Sequence, residues 1–134
     1  ENLYNELSQF AISLGSAFQK VNFLRDIKDD SNILNRVYFP NVDMDNFNEH
    51  SKKEIIEEIE EDFKNAVRGI VRLPKNSKFA VYIAYRYYFK LLKKLKKISS
   101  ENIVKKRVRI HNLQKFIVIA RSYIKYQLNL IQWI

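Results

Sequence analysis

A chain of 134 residues, 46% of them apolar, is long enough to bury one modest core and too apolar for a disordered tail. It has no cysteine, which excludes a disulfide framework and a thiolate metal site and fits a reducing, cytoplasmic setting. The net charge of +9 conceals an asymmetry: residues 1–62 carry 6 basic and 14 acidic side chains, whereas residues 63–134 carry 18 basic and one acidic, Glu101. A basic half of that kind suits nucleic acid, anionic lipid or a phosphorylated small molecule, and charge alone does not choose among them. No apolar run is long enough to span a bilayer, and the polar, acidic start is unlike a secretory signal. Two Gly and two Pro leave few obligatory turns, which favours long helices over many short strands.

In chain order, the first predicted helix covers residues 3–35. Leu7, Phe10 or Ala11, Leu14, Phe18, Val21 and Leu24 recur every three or four residues, the spacing of one apolar face. Gly15 sits inside that pattern among Ser13, Ser16 and Ala17. A mid-helix Gly costs about 1 kcal/mol relative to Ala, so close approach by another helix is expected there. Residues 35–40 break the pattern, and 41–48 read as a polar loop. The second helix covers 51–73, opened by a capping box of Ser51 and Glu54 and closed by Leu73-Pro74. Its buried stripe is Ile55, Ile56, Ile59, Phe63, Val67 and Ile70. The third covers 77–98 and breaks at Ser99-Ser100-Glu101. A basic stretch at 105–110 reads as extended, and a fourth helix starts near Asn112 and runs close to the C-terminus. With no internal repeat, the expected architecture is an all-α helical bundle in a single partial domain, 1–134.

Gln19, Asn22, Asp26 and Asp30 are spaced by three, four and four, so a helix lines them on one face. Two carboxylates one turn apart, with an amide oxygen one turn before, are hard oxygen ligands of the kind Mg²⁺ takes together with water and phosphate oxygens. By spacing alone the same stripe also reads as the solvated face of an amphipathic helix, and a DxxxD pair is weak by itself.

The surrounding residues tip the balance. Residues 14–17 read LGSA, 17–30 read AFQKVNFLRDIKDD and 35–40 read NRVYFP. This block resembles the second signature of the phytoene/squalene synthase family: a small-residue lead, A-F/L-Q, then N-x-x-R-D-x-x-x-D, a short gap and R-x-Y-F/L-P. YFKLL at 88–92 is similar to the family's Y-x-x-I-L helix, and Arg107-Val108 to the R-V pair that follows it.

The resemblance implies the C-terminal part of an all-α isoprenoid synthase fold. It implies a prenyltransferase activity in which two prenyl diphosphates are joined head to head: one ionises to an allylic cation, the other's double bond attacks, and a cyclopropyl intermediate rearranges. Asn22, Asp26 and Asp30 would ligate Mg²⁺, with Mn²⁺ as a substitute. Gln19, Arg25, Arg36 and Tyr88 would contact substrate, with Asp26, Asp30, Arg25 and Tyr88 as the catalytic set. The motif block leans toward the bacterial phytoene synthase branch, geranylgeranyl diphosphate to phytoene, with squalene or dehydrosqualene synthesis as an alternative. Phe18, Phe23, Tyr82, Tyr85 and Tyr87 are candidate walls of the cavity.

The family also needs a first aspartate-rich motif, and nothing before Gln19 supplies one. Glu57, Glu58, Glu60 and Glu61 flank an apolar stripe and read as a solvated face. A half-synthase is therefore expected, inactive alone, completed by an N-terminal half or prone to self-association. Lys90, Lys93, Lys94, Lys96 and Lys97 read as a solvated face or a membrane-docking face, which would make the chain peripheral to the membrane. A non-catalytic helical module of the same fold is the competing reading. Nucleic-acid binding is disfavoured because no recognised motif accompanies the charge. His50 and His111 read as ordinary exposed histidines.

Overall fold

The computed structural model describes residues 2–27, 39, 40, 42 and 45–133. Every element among them is helical: α1 (Asn2–Arg25), α2 (Glu49–Ile70), α3 (Lys75–Lys97), α4 (Ser100–Lys105), α5 (Asn112–Gln127) and a closing 3₁₀ turn, Leu130–Trp133. The all-α expectation holds for these residues.

The first helix is shorter than its periodicity predicts. It ends at Arg25, and the Asp26 amide is shared between the carbonyls of Asn22 (3.0 Å) and Phe23 (3.1 Å), a tightened last turn. Asp26 and Ile27 form a turn, and residues 28–38 lie outside the described residues, as do Asp30 and Arg36 with them.

The capping-box expectation is also corrected. α2 starts two residues earlier, and Asn48 is its cap, accepting hydrogen bonds from the amides of His50 (2.9 Å) and Ser51 (3.1 Å). It ends at Ile70, three residues short of Leu73, and Pro74 belongs to the start of α3, where its carbonyl accepts from Ser77 and Lys78. Ser99-Ser100-Glu101, read as a break, instead opens the short α4, with Ser99 as its cap. Residues 107–110 have no regular structure. α5 ends where Asn129 takes a left-handed conformation (φ 55°), a common way to terminate a helix.

α1, α2 and α3 pack on one another, and α5 lies along α3. Ala17, Val21 and Leu24 from α1 meet Ile55, Ile59 and Phe63 from α2 and Tyr82, Leu91, Leu92 and Leu95 from α3, all essentially inaccessible. Phe63 is central: its ring stands edge-on to Tyr85 (5.6 Å between centroids) and Phe89 (5.7 Å) and tilted to Phe18 (6.3 Å).

Charges fasten the same seam. Lys20 pairs with Glu58 and Asp62, and Ser16 donates to Asp62 at 2.7 Å. Burial works to lower the Lys20 ammonium, but hydrogen bonds and attraction from the two carboxylates outweigh it and hold its pKa above the usual lysine value. Glu60 pairs with Lys96 of α3 at 2.7 Å. The acidic face of α2 is therefore only partly solvated.

The close approach expected at Gly15 occurs elsewhere. Gly15 is exposed with nothing within 4 Å, whereas a Cβ at Gly69 would overlap Phe10, whose ring carbon Cγ would be 2.9 Å away. The small residue that admits a neighbour is on α2, and the large one is on α1.

Candidate functional site

The last turn of α1 carries the predicted ligands. Gln19 is exposed, while Asn22, Arg25 and Asp26 are half-buried where α1 meets α3 and the irregular 107–110 segment. The stripe predicted from spacing therefore survives through Asp26, because the Asp26 amide still closes a helical hydrogen bond onto Asn22.

Asn22 binds across to α3: its Nδ2 donates to the Tyr88 hydroxyl at 3.2 Å. Tyr88 is clamped by the Phe18 ring, stacked at 4.1 Å, and by Tyr87 edge-on at 5.4 Å. The structure thus brings Asn22 together with Tyr88, although 66 residues separate them in sequence. Of the candidate wall residues, Phe18 and Tyr87 border this site, both in contact with Tyr88. Phe23 packs at a tilt against Phe39, and Tyr82 and Tyr85 stack on each other within the core, which is where burial raises the Tyr85 hydroxyl's pKa.

Asp26 is held by two guanidiniums. Arg25 reaches it with Nη2 at 2.5 Å and Nε at 3.1 Å from both oxygens, and Arg107 Nε lies 2.8 Å from Oδ1. The hydrogen bond to Asp26 chiefly raises the Arg25 pKa, against the opposing effect of burial. Arg107 had no assigned role in the sequence beyond the Arg-Val resemblance. Its approach to Asp26 joins chain segments 81 residues apart, with no local periodicity to announce it.

Beside this cluster opens a cavity of about 510 Å³ lined by Arg25, Tyr87, Leu91, Arg107, Arg109 and Lys115. Four cations and an aromatic rim suit a multiply charged anion, and Arg offers paired donors to phosphate oxygens. Among the described residues no group of three or more His, Cys, Asp or Glu side chains gathers to hold a metal ion. Asn22 and Asp26 nonetheless fit part of a hard-cation shell. Asn22 Oδ1 is buried without a hydrogen-bond partner, and the neighbouring carboxylate is the donor type such a cation takes.

Most of the predicted lysine face is engaged within the protein. Lys90 and Lys94 donate to the carbonyls of Gln114 and Arg109, tying down the segment that carries Arg107, and Lys93 lies over the Phe89 ring at 4.7 Å. His50 and His111 are exposed, His50 facing Glu54 at 3.5 Å.

A helical frame in which Arg25 and Arg107 line a cationic cavity with Tyr87 at its rim defines an all-α protein with a candidate anion site. Residues 4–114 match the family model for squalene/phytoene synthase, and the chain belongs to that family. It is similar to the 15-cis-phytoene synthase of Synechocystis sp. (strain ATCC 27184 / PCC 6803 / Kazusa), 25% identical over 133 residues. The match covers 87% of this chain and 39% of that relative. No solved structure matches.

Proposed function

We propose that this chain supplies the second aspartate-rich side of a head-to-head prenyl synthase, binding the diphosphate of a prenyl substrate. Geranylgeranyl diphosphate, condensed to phytoene, is the preferred reading, because the cyanobacterial relative is a phytoene synthase. The observation that carries the proposal is that Arg25 and Arg107, which both hold Asp26, also line one cationic cavity.

Asn22 and Asp26, with Asp30 four residues further along the sequence, would hold Mg²⁺ or Mn²⁺. Such a cation, when bound, supplies neutralisation of the charge that builds on the departing diphosphate. Arg25 and Arg107 bind and orient the same leaving group through paired hydrogen bonds. Asp26 keeps the two guanidiniums aligned before substrate arrives. Tyr88 is fixed by Asn22 and Phe18, so its hydroxyl is oriented toward the site, and the stacked rings exclude water from an allylic cation. Gln19 and Arg36 are proposed as further substrate contacts. The condensation itself needs a first aspartate-rich motif, which we assign to an N-terminal half in the same polypeptide or a partner.

Titration with a non-hydrolysable prenyl diphosphate analogue tests this. Mg²⁺-dependent binding is expected, weakened at least about tenfold by Asp26→Asn and by Arg107→Ala, the scale of one lost charge-assisted contact. Binding that ignores Mg²⁺ and survives both substitutions overturns the proposal. One observation favours the competing reading of a non-catalytic helical module: a carboxylate held by two arginines also works as a structural staple. In that case Asp26→Asn lowers the melting temperature and the analogue does not restore it.

A further inference from the structure

Lys52 is a charged side chain that the diphosphate site does not use, and it is only 6% exposed. Lysine is almost never buried that far unless it is paired, because the ammonium gives up its hydration. It sits one turn into α2 and reaches the corner where α3 ends and α4 begins. Its Nζ donates to the carbonyl of Ile98, the C-terminal cap of α3, at 2.8 Å, and lies 2.8 Å from Glu49 Oε2. The other oxygen of Glu49 accepts from the amide of Ser100, the first residue of α4. One ion pair therefore spans the corner with matched signs. The cation takes the orphan carbonyl that ends α3, and the anion takes the orphan amide that starts α4.

That corner sets where Arg107 lies. α4 has 6 residues, and Arg107 follows its last residue by two positions. At a rise of about 1.5 Å per residue, a swing of about 10° at the corner carries the far end of α4 by about 1.5 Å. Such a shift parts Arg107 Nε from Asp26 Oδ1, which lie 2.8 Å apart. Ile103, Val108 and Ile110 are buried and fix how deep the segment sits. Apolar contact is non-directional, so it does not fix which way α4 points. Lys94 holds the exit through the Arg109 carbonyl, and the Glu49–Lys52 pair holds the entry. Exchanging a buried ion pair for apolar residues is often neutral for stability, so what this pair contributes is sought in geometry.

We propose that Lys52, with Glu49, is a positioning residue for Arg107. The pair fixes the corner between α3 and α4 and so brings the Arg107 guanidinium onto Asp26 at the edge of the cavity. Lys52 does not line that cavity, so it acts only through the chain between. Its consequence for ligand binding rests on the diphosphate reading above; its consequence for Arg107 does not.

The test reads Arg107 directly, through the NMR signal of its Nε–H in the ligand-free chain, assigned by its loss in Arg107→Lys. In the parent that signal is expected downfield of free arginine, as befits a proton donated to a carboxylate. Lys52→Met keeps the stem and removes the ammonium, and should move the signal toward the free-arginine position. Lys52→Arg should restore it. Lys96→Met removes a different pair between α2 and α3, Glu60–Lys96, and should leave the signal in place. A signal that Lys52→Met does not move overturns the proposal, and so does equal movement in Lys96→Met. With Mg²⁺ and the non-hydrolysable analogue, Lys52→Met should weaken binding at least about fivefold, but less than about twofold in an Arg107→Ala background. Equal losses in both backgrounds would mean that Lys52 does not act through Arg107, and the proposal fails. A parent that ignores the analogue removes the diphosphate reading, while the Arg107 signal still decides the role of Lys52. Should Lys52→Met fail to fold, Glu49→Ala, at an exposed position, takes its place with the same expected outcomes.

Discussion

α2 turns Ile55, Ile59 and Phe63 under α1 and α3, whereas α5 turns Leu113, Phe116 and Ile124 to solvent. Both helices carry apolar residues at three- and four-residue intervals, so periodicity describes them equally well. They differ in polarity on the opposite face. α2 sets glutamates and lysines outside, and several reach across: Glu58 and Asp62 to Lys20, Glu60 to Lys96. α5 has no acid to offer, and its inner contact with α3 depends on Val118, Ser122 and the Phe79–Tyr126 pair. An apolar stripe marks a surface that wants cover, and the charges beside it indicate whether the chain itself provides that cover.

The largest expected effect falls on the covered stripe. Phe63→Ala removes a ring enclosed by Phe18, Tyr85 and Phe89, and should cost about 3–5 kcal/mol through lost burial and a cavity that three neighbouring rings cannot close. Chemical denaturation with a fitted midpoint measures it. A loss below about 1 kcal/mol would mean that α2 is not the central helix of this core.

A smaller effect is expected at the charged seam between α1 and α2. Lys20→Met keeps the aliphatic stem and removes the ammonium from Asp62 and Glu58, at a cost of about 1–2 kcal/mol, between exposed and fully buried pairs. The pH dependence has a definite sign. The folded-state pKa of Lys20 is raised above 10.5, so its contribution is complete below that value and lost as pH climbs through the folded value. Parent and variant should therefore converge in stability at strongly alkaline pH and keep their difference near neutrality. A difference that grows with alkalinity would contradict the pairing.

The same contrast separates what the sequence made legible from what it did not. The helical class, the α2 stripe and the Gln19–Asn22–Asp26 line were readable because they depend on neighbours within a turn. The end of α1 at Arg25 was not, since it is set by how the Asp26 amide is shared in three dimensions. Nor was Arg107, whose function as a partner of Asp26 depends on a loop that Lys90 and Lys94 fasten from another helix. The glycines show the same division. A mid-helix Gly signals an unusual neighbour, yet which of Gly15 and Gly69 receives one depends on where Phe10 lands. Asn48 displaced Ser51 as the α2 cap for a local reason: an Asn three residues upstream offered its side-chain oxygen first.

The smallest expected effect is the sharpest discriminator. Phe116 is nearly as large and apolar as any core residue, and in a covered position its replacement by Ser would cost several kcal/mol, as at Phe63. On the outer side of α5 it has no such enclosure, so Phe116→Ser should shift the free energy of unfolding by no more than about 0.5 kcal/mol. The comparison with Phe63→Ala holds chemistry nearly constant and changes only cover. If Phe116→Ser proves as damaging as Phe63→Ala, the row on α5 is buried in solution and a second copy of the chain is the available cover.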